Sequence, residues 1–250
     1  MGVNSKIEWC DHTVNLWWGC AKVHTGCKNC YAENLSETRY KNGVWGEKAP
    51  RKMIKSAFPT LDKLQRKCKK EGVFETVFVQ SMGDIFEDSK PMINHNIHET
   101  TGSLREAFFS SIKIGRWDNL IFLLLTKRPQ NIFKYWGYDA PENVWFGTSA
   151  SDQATADEYI ELLKNFSPIL SKRFLSMEPQ IANITTIDLD HVDWVIQGGE
   201  SGPGKRPFDI NWAWYMKGWC DQYRVPYFFK QIDKIQEIPE GLQIRQFPKF

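Results

Sequence analysis

Three cysteines lie close together near the start of the chain, within residues 20–30, which read CAKVHTGCKNC. An odd number of thiols leaves one sulfur without a disulfide partner, and the short loops between them restrict the geometry that a disulfide needs. Thiolates are soft ligands that suit zinc and iron–sulfur centres. The spacing of Cys20, Cys27 and Cys30 therefore favours a metal site over disulfide bonds.

The number of ligands separates two kinds of metal site. Three protein ligands leave one coordination position for a substrate or cofactor, as in a cluster or a catalytic metal site. His24 lies between the first two cysteines and would complete a closed set of three cysteines and one histidine, which is typical of structural zinc. The residues alone leave both interpretations open.

The elements that position these cysteines follow from recurring apolar runs of β-forming residues. They predict strands at residues 15–19, 76–80, 119–125, 143–147, 173–177, 193–197 and 226–229, and helices at 61–70, 94–112, 152–166 and 211–223. The run from Phe122 to Leu125 is apolar at consecutive positions, which indicates a strand covered on both faces. Repeated β/α alternation predicts an α/β fold, a complete or partial (β/α) barrel with parallel strands inside and helices outside.

Each predicted strand is followed by polar or specialised residues. In order, the strand ends carry Cys20, Ser81 to Asp84, Thr126 to Pro129, Thr148 and Ser149, Glu178 and Pro179, Gly198 to Gly202, and Lys230 and Gln231. In a barrel the carboxyl ends of the strands meet at one rim, where such enzymes place their chemistry. Their convergence predicts an enzyme site at this rim.

Cations at the rim have two interpretations. Lys127, Arg128 and Lys230 suit the binding of a carboxylate or phosphate, Arg through its planar fork and Lys as a point charge. They also suit ion pairs across the rim with acidic residues such as Glu178. Both arrangements are compatible with one site.

Composition limits the class of protein. With 250 residues, of which 42% are hydrophobic, the chain can bury a full core, and we predict one domain over residues 1–250. A formal charge of +2 is too small to indicate a nucleic-acid-binding protein, although a local basic patch remains open. No stretch is typical of a signal peptide or a membrane span. We therefore expect a cytoplasmic protein without membrane association, with its thiols reduced.

Seven motifs form a specific set. They are IEW at residues 7–9, GC at 19–20, CKNCYAE at 27–33, LTKRP at 125–129, SMEP at 176–179, GGESG at 198–202 and FFKQ at 228–231. With this set the sequence resembles a phage- and prophage-associated three-cysteine-motif family of uncharacterised proteins, related to the radical S-adenosylmethionine (SAM) enzymes. The resemblance covers nearly the whole chain and implies a radical-SAM-like barrel of the TIM-barrel type.

The resemblance also implies a chemistry. Cys20, Cys27 and Cys30 would each bind one iron of a [4Fe-4S] cluster, and the fourth iron would bind the amino and carboxylate groups of SAM. One electron, from a reductant protein such as a flavodoxin or ferredoxin, would then generate a 5′-deoxyadenosyl radical that abstracts hydrogen from the substrate. A nucleotide or nucleic-acid base is the expected substrate, and a separate partner protein is left open.

Individual roles follow from the same resemblance. We expect Gly83 and Asp84 to contact the SAM amino group, Thr148 and Ser149 its ribose, and Gly198, Gly199 and Glu200 to form a cofactor or substrate wall. Expected catalytic residues are Lys127, Glu178 and Lys230, and expected substrate-binding residues are Arg128 and Gln231. The sequence departs from the common radical-SAM pattern, because six residues separate the first two cysteines instead of three, and Asn29 replaces a frequent aromatic residue.

Two other functions compete with the radical SAM enzyme. One is a binding module stapled by zinc, in which His24 closes the metal site with the three cysteines. The other is a nucleic-acid repair protein in which the cluster is a structural element. Loss of a zinc ligand would unfold the first, whereas loss of a cluster ligand would remove colour and activity from a largely retained barrel.

Overall fold

The computed structural model describes residues 4–95 and 97–249 and contains two sheets surrounded by helices. In chain order its strands are β1 (His12–Val14), β2 (Trp17–Trp18), β3 (Arg51–Met53), β4 (Glu75–Val79), β5 (Met92–Ile93), β6 (Leu120–Thr126), β7 (Val144–Ser149), β8 (Arg173–Met177), β9 (Trp194–Gly198) and β10 (Tyr227–Gln231). Its α-helices are α1 (Tyr31–Asn34), α2 (Ala57–Glu71), α3 (Thr101–Lys113), α4 (Asn131–Trp136), α5 (Gln153–Phe166) and α6 (Ile210–Tyr223). Other helical turns lie at Thr25–Cys27, Leu35–Arg39 and Glu240–Leu242.

Seven parallel strands form the main sheet, in the order β1-β4-β6-β7-β8-β9-β10. The sheet curls but keeps two edges, at β1 and β10, so it is a half-barrel and not a closed barrel. Helices lie in the connections between its strands, except in the one between β8 and β9. The predicted α/β fold with parallel strands and outer helices is confirmed in its partial form.

Apolar side chains of the main-sheet strands other than β1 divide between two clusters, because successive residues of a strand point to opposite faces. In β6, Leu120 and Phe122 pack in the cluster that contains the helix residues, whereas Ile121 and Leu123 belong to a second cluster on the inner face. Burial of both faces explains the uninterrupted apolar run in this strand.

Aromatic rings fill the inner face at the amino-terminal side of the strands. The inner cluster contains Trp9, Cys10, Phe78, Ile121, Leu123, Trp145, Phe174, Trp194, Ile196 and Phe228. Gly147 makes room for one of these rings, since a Cβ at that position would lie 2.4 Å from the ring of Phe174. The inner cluster therefore fills the inside of the half-barrel below the carboxyl ends of the strands.

The first predicted strand, at residues 15–19, is wrong. The first strand of the main sheet is β1, which ends at Val14, and residues 17–18 form β2 of a small sheet with β3 and β5. His12 made β1 look polar, but its side chain is buried and its Nε2 lies 2.9 Å from Oε2 of Glu75. Trp17 is fully buried in the small sheet, which explains why its segment looked like a core strand.

Helix boundaries follow local capping. The predicted helix at 94–112 begins only at Thr101, because the Oγ1 atom of Thr100 accepts a hydrogen bond from Ser103 N and starts α3 there. Residue 96 of that prediction lies outside the described residues. Helix α2 begins at Ala57, earlier than predicted, whereas the predictions for α5 and α6 are confirmed. Within the described ranges no helix has the length and apolar character needed to cross a membrane.

Candidate functional site

A cavity of about 300 Å³ opens at the carboxyl ends of the main-sheet strands. The three clustered cysteines all line it. The other predicted site residues that line it are Gly83, Asp84, Lys127, Arg128, Ser149, Glu178, Gly199, Glu200, Lys230 and Gln231. Thr148 and Gly198 are not among the lining residues. The fold therefore brings most of the predicted residues to one place.

Strand alternation explains which side chains reach the cavity. In β8, Phe174 belongs to the inner cluster, and Ser176 and then Glu178, each two residues further on, line the cavity above it. In β6 the same spacing leads from Leu123 of the inner cluster to Lys127. Thr148 has the opposite parity to the lining residue Ser149. The Oγ1 atom of Thr148 instead donates a 3.0 Å hydrogen bond to the carbonyl of Thr126.

The cysteine loop, residues 19–30, begins in close contact with the loop after β4. Gly19 N donates to the Met82 carbonyl at 3.0 Å, and a Cβ on Gly83 would lie only 2.9 Å from the carbonyl oxygen of Gly19. Gly19 itself has φ of +116°, and a Cβ there would lie 2.3 Å from the carbonyl oxygen of Val44. Glycine is therefore required at both positions for the two loops to approach.

Arg128 joins the first cysteine to Asp84. Its Nη1 donates to Asp84 Oδ2 at 2.8 Å and lies 3.9 Å from the sulfur of Cys20, and its Nη2 donates to the Ala21 carbonyl at 3.0 Å. Asp84 also accepts a 2.7 Å hydrogen bond from Thr126 Oγ1 and one from the Lys127 amide. The predicted SAM-binding carboxylate and the predicted substrate-binding guanidinium are thus paired with each other.

Glu87 stabilises the same part of the loop from below. Its Oε1 accepts a 3.1 Å hydrogen bond from Ala21 N and lies 3.6 Å from Nη2 of Arg128. Both of its oxygens accept from Arg51, at 2.8 Å from Nε and 2.6 Å from Nη2, and both side chains are almost fully buried. Glu87, Arg51, Arg128 and Asp84, called here the Glu87 network, hold the Cys20 end of the loop.

Glu200 holds the other end of the loop. Its Oε2 accepts from Asn29 Nδ2 at 2.9 Å and from Arg206 N at 2.8 Å, and its Oε1 pairs with the Arg206 guanidinium. Arg206 Nη1 also donates to the carbonyl of Thr25 at 3.0 Å. Burial would raise the pKa of Glu200, but these hydrogen bonds lower it below its ordinary value. Asn29, Glu200, Arg206 and Thr25 are called here the Glu200 network.

His24 has a structural role in the described conformation. Its Nδ1 accepts a 3.0 Å hydrogen bond from Gly26 N and so caps the helical turn that carries Cys27. Its ring meets that of Tyr159 edge to face, its Nε2 is buried without a hydrogen-bond partner, and the residue is not among those that line the cavity. Burial, with a smaller effect of Lys127, lowers the pKa of His24 to about 4.

The three thiols are free, and each lines the cavity. Burial, together with the charges of Asp84 and Glu87, raises the pKa of Cys20 to about 12, and burial also raises the pKa of Cys30. Within residues 4–95 and 97–249, no group of three or more His, Cys, Asp or Glu side chains is arranged to hold a metal ion. The donor chemistry suits a thiolate-bound metal, which would have to displace the thiol protons and draw the sulfurs together.

Two of the predicted catalytic residues, Glu178 and Lys230, line the cavity together with Gln231. Lys230 Nζ forms an ion pair with Glu178, and Gln231 Nε2 donates to the Gly199 carbonyl at 2.9 Å. The side chain of Lys127 has no hydrogen-bond or ion-pair partner among the described residues, and the buried Oγ of Ser149 likewise lacks one. Lys127 and Ser149 therefore keep polar side-chain groups available for a ligand.

The sequence did not predict the contacts of four residues of the site: Arg51, Glu87, Asn29 and Arg206. Arg51 and Glu87 are 36 positions apart and meet only because β3 and the loop after β4 pack together. Asn29 and Arg206 come from opposite ends of the chain. A charged residue within an apolar stretch can indicate buried pairing, but it does not identify the partner.

Comparison with known proteins places the chain in a family without assigning a reaction. No curated protein and no solved structure matches the chain. A family model described as "Protein of unknown function (DUF5131)" matches residues 4–240. The match covers nearly the whole chain, and the protein therefore belongs to this family of unknown function.

Proposed function

We propose that the protein is a radical SAM enzyme that binds a [4Fe-4S] cluster through Cys20, Cys27 and Cys30. The observation that carries the proposal is that these three free thiols line one cavity at the carboxyl ends of a parallel α/β half-barrel. The same cavity contains Lys127 and the Glu178–Lys230 pair. This is the end of such folds at which the chemistry of α/β barrels is carried out.

The protein would bind the iron–sulfur cluster and SAM through different residues. The cysteines would bind the cluster, while Ser149, Gly199 and Lys127 lie on the wall available to SAM. When bound and reduced, the cluster and SAM would supply a 5′-deoxyadenosyl radical for hydrogen abstraction. Asp84 is already saturated by Arg128, Thr126 and Lys127, so its proposed part is to orient Arg128 beside Cys20.

An anionic substrate suits the charge of the cavity wall. Of the described residues that line it, five are cationic (Lys22, Lys127, Arg128, Lys230 and Lys234) and three are acidic (Asp84, Glu178 and Glu200). The aromatic side chains of Trp45 and Tyr31 also line it and offer surfaces against which a planar ring can stack. We therefore propose a nucleotide or nucleic-acid base as the substrate.

The chain's own residues would bind, orient and protect the reactants. Lys127 would attract a phosphate or carboxylate, and Glu178 would be held in position by Lys230. The inner cluster of aromatic rings would exclude water from the bottom of the cavity. A reductant protein such as a flavodoxin or ferredoxin would supply the electron, in the cytoplasm, where thiols stay reduced.

The test is metal analysis of the protein purified without oxygen. We expect about four irons and four sulfides per chain with a brown colour, and formation of 5′-deoxyadenosine after addition of SAM and reductant. Cys20→Ser should remove the iron and colour and keep the circular dichroism of the fold. Cys220→Ser is the matched control, since Cys220 is buried in α6 and is not a cavity-lining residue.

Two results would contradict the proposal. One zinc per chain without colour, even after anaerobic reconstitution with iron and sulfide, would favour the zinc-stapled binding module. Equal iron content in Cys20→Ser and in the wild-type protein would mean that the three cysteines do not hold the cluster. In either case the function would have to be sought in another property of the cavity.

A further inference from the structure

We infer that Glu200 positions Cys27 and Cys30 by tying the part of the cysteine loop that carries them to the end of β9. Asn29 and Arg206 are its partners in this role. The GGESG motif at residues 198–202 therefore acts through the cysteine loop. Glu200 is a positioning residue, because both of its carboxylate oxygens are hydrogen-bonded to Asn29 or Arg206.

The contacts are directed at the residues beside the last two cysteines. Asn29 precedes Cys30, and its Nδ2 donates both to Glu200 Oε2 at 2.9 Å and to the Gly204 carbonyl at 2.8 Å. Thr25 begins the turn that contains Cys27, and its carbonyl accepts from Arg206 Nη1 at 3.0 Å. Glu200 connects these two points through its own pair with Arg206.

The loop depends on such contacts because it has little regular structure of its own. Between Gly19 and Cys30 its regular structure is one three-residue helical turn, Thr25–Cys27. On its other side, Thr25 Oγ1 donates to Asp152 Oδ2 at 2.9 Å, at the start of α5. Segments with few backbone hydrogen bonds open locally at low free energy unless side chains restrain them.

The topology explains why side chains perform this task. The cysteine loop follows β1 and β2, whereas β9 lies next to β10 at the far edge of the main sheet. No strand pairing joins β1 to β10 in the described sheet. The Glu200 network therefore bridges the opening of the half-barrel at the rim, where strand pairing would do so in a closed barrel.

The two halves of the loop are held by different networks. The Glu87 network holds Cys20 from β3 and the loop after β4, and the Glu200 network holds residues 25–29 from the end of β9. Loss of the second network should leave Cys20 in place and release Cys27 and Cys30. Only the consequence for metal retention rests on the proposed function.

Hydrogen exchange and thiol alkylation of the metal-free protein test the positioning role directly. In Glu200→Gln we expect faster amide exchange at residues 24–30 and faster reaction of Cys27 and Cys30 with iodoacetamide. Both rates should rise about tenfold to a hundredfold, which corresponds to the free energy of hydrogen bonds to a charged group. The alkylation rate of Cys20 should stay within about twofold of wild type. Asn29→Ala is the second variant, and it should reproduce the effect while the Glu200–Arg206 ion pair stays intact.

Lys205→Ala is the matched control. Lys205 precedes Arg206 in the loop after β9, and its Nζ forms an ion pair with Asp233 Oδ2 at 2.7 Å. The substitution removes this ion pair and none of the contacts of the Glu200 network. Exchange and alkylation in this variant should equal those of the wild-type protein. Similar acceleration in Lys205→Ala and Glu200→Gln, or unchanged rates in both Glu200→Gln and Asn29→Ala, would overturn the inference.

Metal content separates this inference from the proposed function. If the wild-type protein binds iron, Glu200→Gln should lose it to a chelator at least several-fold faster than Lys205→Ala. If the wild-type protein binds no iron, the exchange and alkylation results still decide the positioning role. Faster iron loss without faster exchange of residues 24–30 would also refute it.

Discussion

Replacement of Glu87 by glutamine should strongly destabilise the protein, because it leaves a buried guanidinium without its counter-charge. The side chains of Arg51 and Glu87 are 0% and 2% exposed, and two Arg51 nitrogens donate to the carboxylate. Breaking a buried ion pair by removing one charge costs about 3–5 kcal/mol. Arg51 Nη1 keeps its carbonyl acceptors at Val44 and Ala49, so we expect the lower end of this range.

The assay is urea denaturation of the wild-type protein and Glu87→Gln under identical conditions. With m-values of about 1–3 kcal/mol per molar urea, a loss of about 3 kcal/mol lowers the midpoint by roughly 1 M or more. The acceptor of Ala21 N changes from a carboxylate oxygen to a neutral amide oxygen, which forms a weaker hydrogen bond, so amide exchange at the Cys20 end of the cysteine loop should accelerate. The variant thus reports both on the core and on the candidate site.

An exposed ion pair provides the comparison. In α6, Lys217 Nζ lies 2.6 Å from Asp221 Oδ2, with the two side chains 33% and 63% exposed. Asp221→Ala should cost about 0.5 kcal/mol or less, because exposed pairs of this spacing contribute little. If Glu87→Gln costs less than about 1 kcal/mol, similar to this control, the Glu87 network does not carry the electrostatic role assigned to it.

Three further predictions concern packing and pH. Gly147→Ala should lower the unfolding free energy measured in urea by about 1–3 kcal/mol, because its Cβ would overlap the ring of Phe174. Gly218→Ala in α6 should raise it by about 0.5–1 kcal/mol, because nothing lies within 4 Å of a Cβ there and alanine favours the helix. Equal effects of the two substitutions would contradict the packing assigned to the inner cluster. Burial, and to a smaller extent the charge of Lys127, lowers the pKa of His24 from 6.5 to about 4. Between these two pH values the unfolded chain binds a proton that the folded protein does not, so stability should fall as the pH falls from about 6.5 towards 4. The measurement is the unfolding free energy of the metal-free protein near pH 7 and near pH 4. The difference between the two values should be smaller in His24→Asn than in the wild-type protein. Identical differences in the two proteins would refute the role assigned to His24.

The alternation of apolar segments was enough to predict the class of fold. Runs such as Phe122 to Leu125 are apolar at every position because both faces of β6 are buried. The prediction failed where burial came from a partner and not from the residue type. His12 and Thr13 look polar, yet they lie in β1, where His12 is paired with Glu75.

Local spacing also identified the centre of the candidate site. Cys20, Cys27 and Cys30 are close in sequence, so any fold brings them near one another, and strand ends such as Glu178 and Lys230 must reach the rim of a parallel sheet. The structure places all five in the lining of one cavity. The alternation of side chains along a strand then decided which neighbouring residues line the cavity. In β7 it directs Ser149 to the cavity and Thr148 to the opposite face of the sheet.

The sequence by itself determined the α/β class, the rim that carries the polar residues and the cysteine loop, because these depend on periodicity and short spacing along the chain. Tertiary structure alone decided that the barrel is open, and that Glu87 and Glu200 hold the two ends of the cysteine loop. Asn29 and Glu200 are separated by 171 positions. Partners so distant in sequence are selected by the curvature of the sheet and by the need to pair buried charges, neither of which can be read from local sequence.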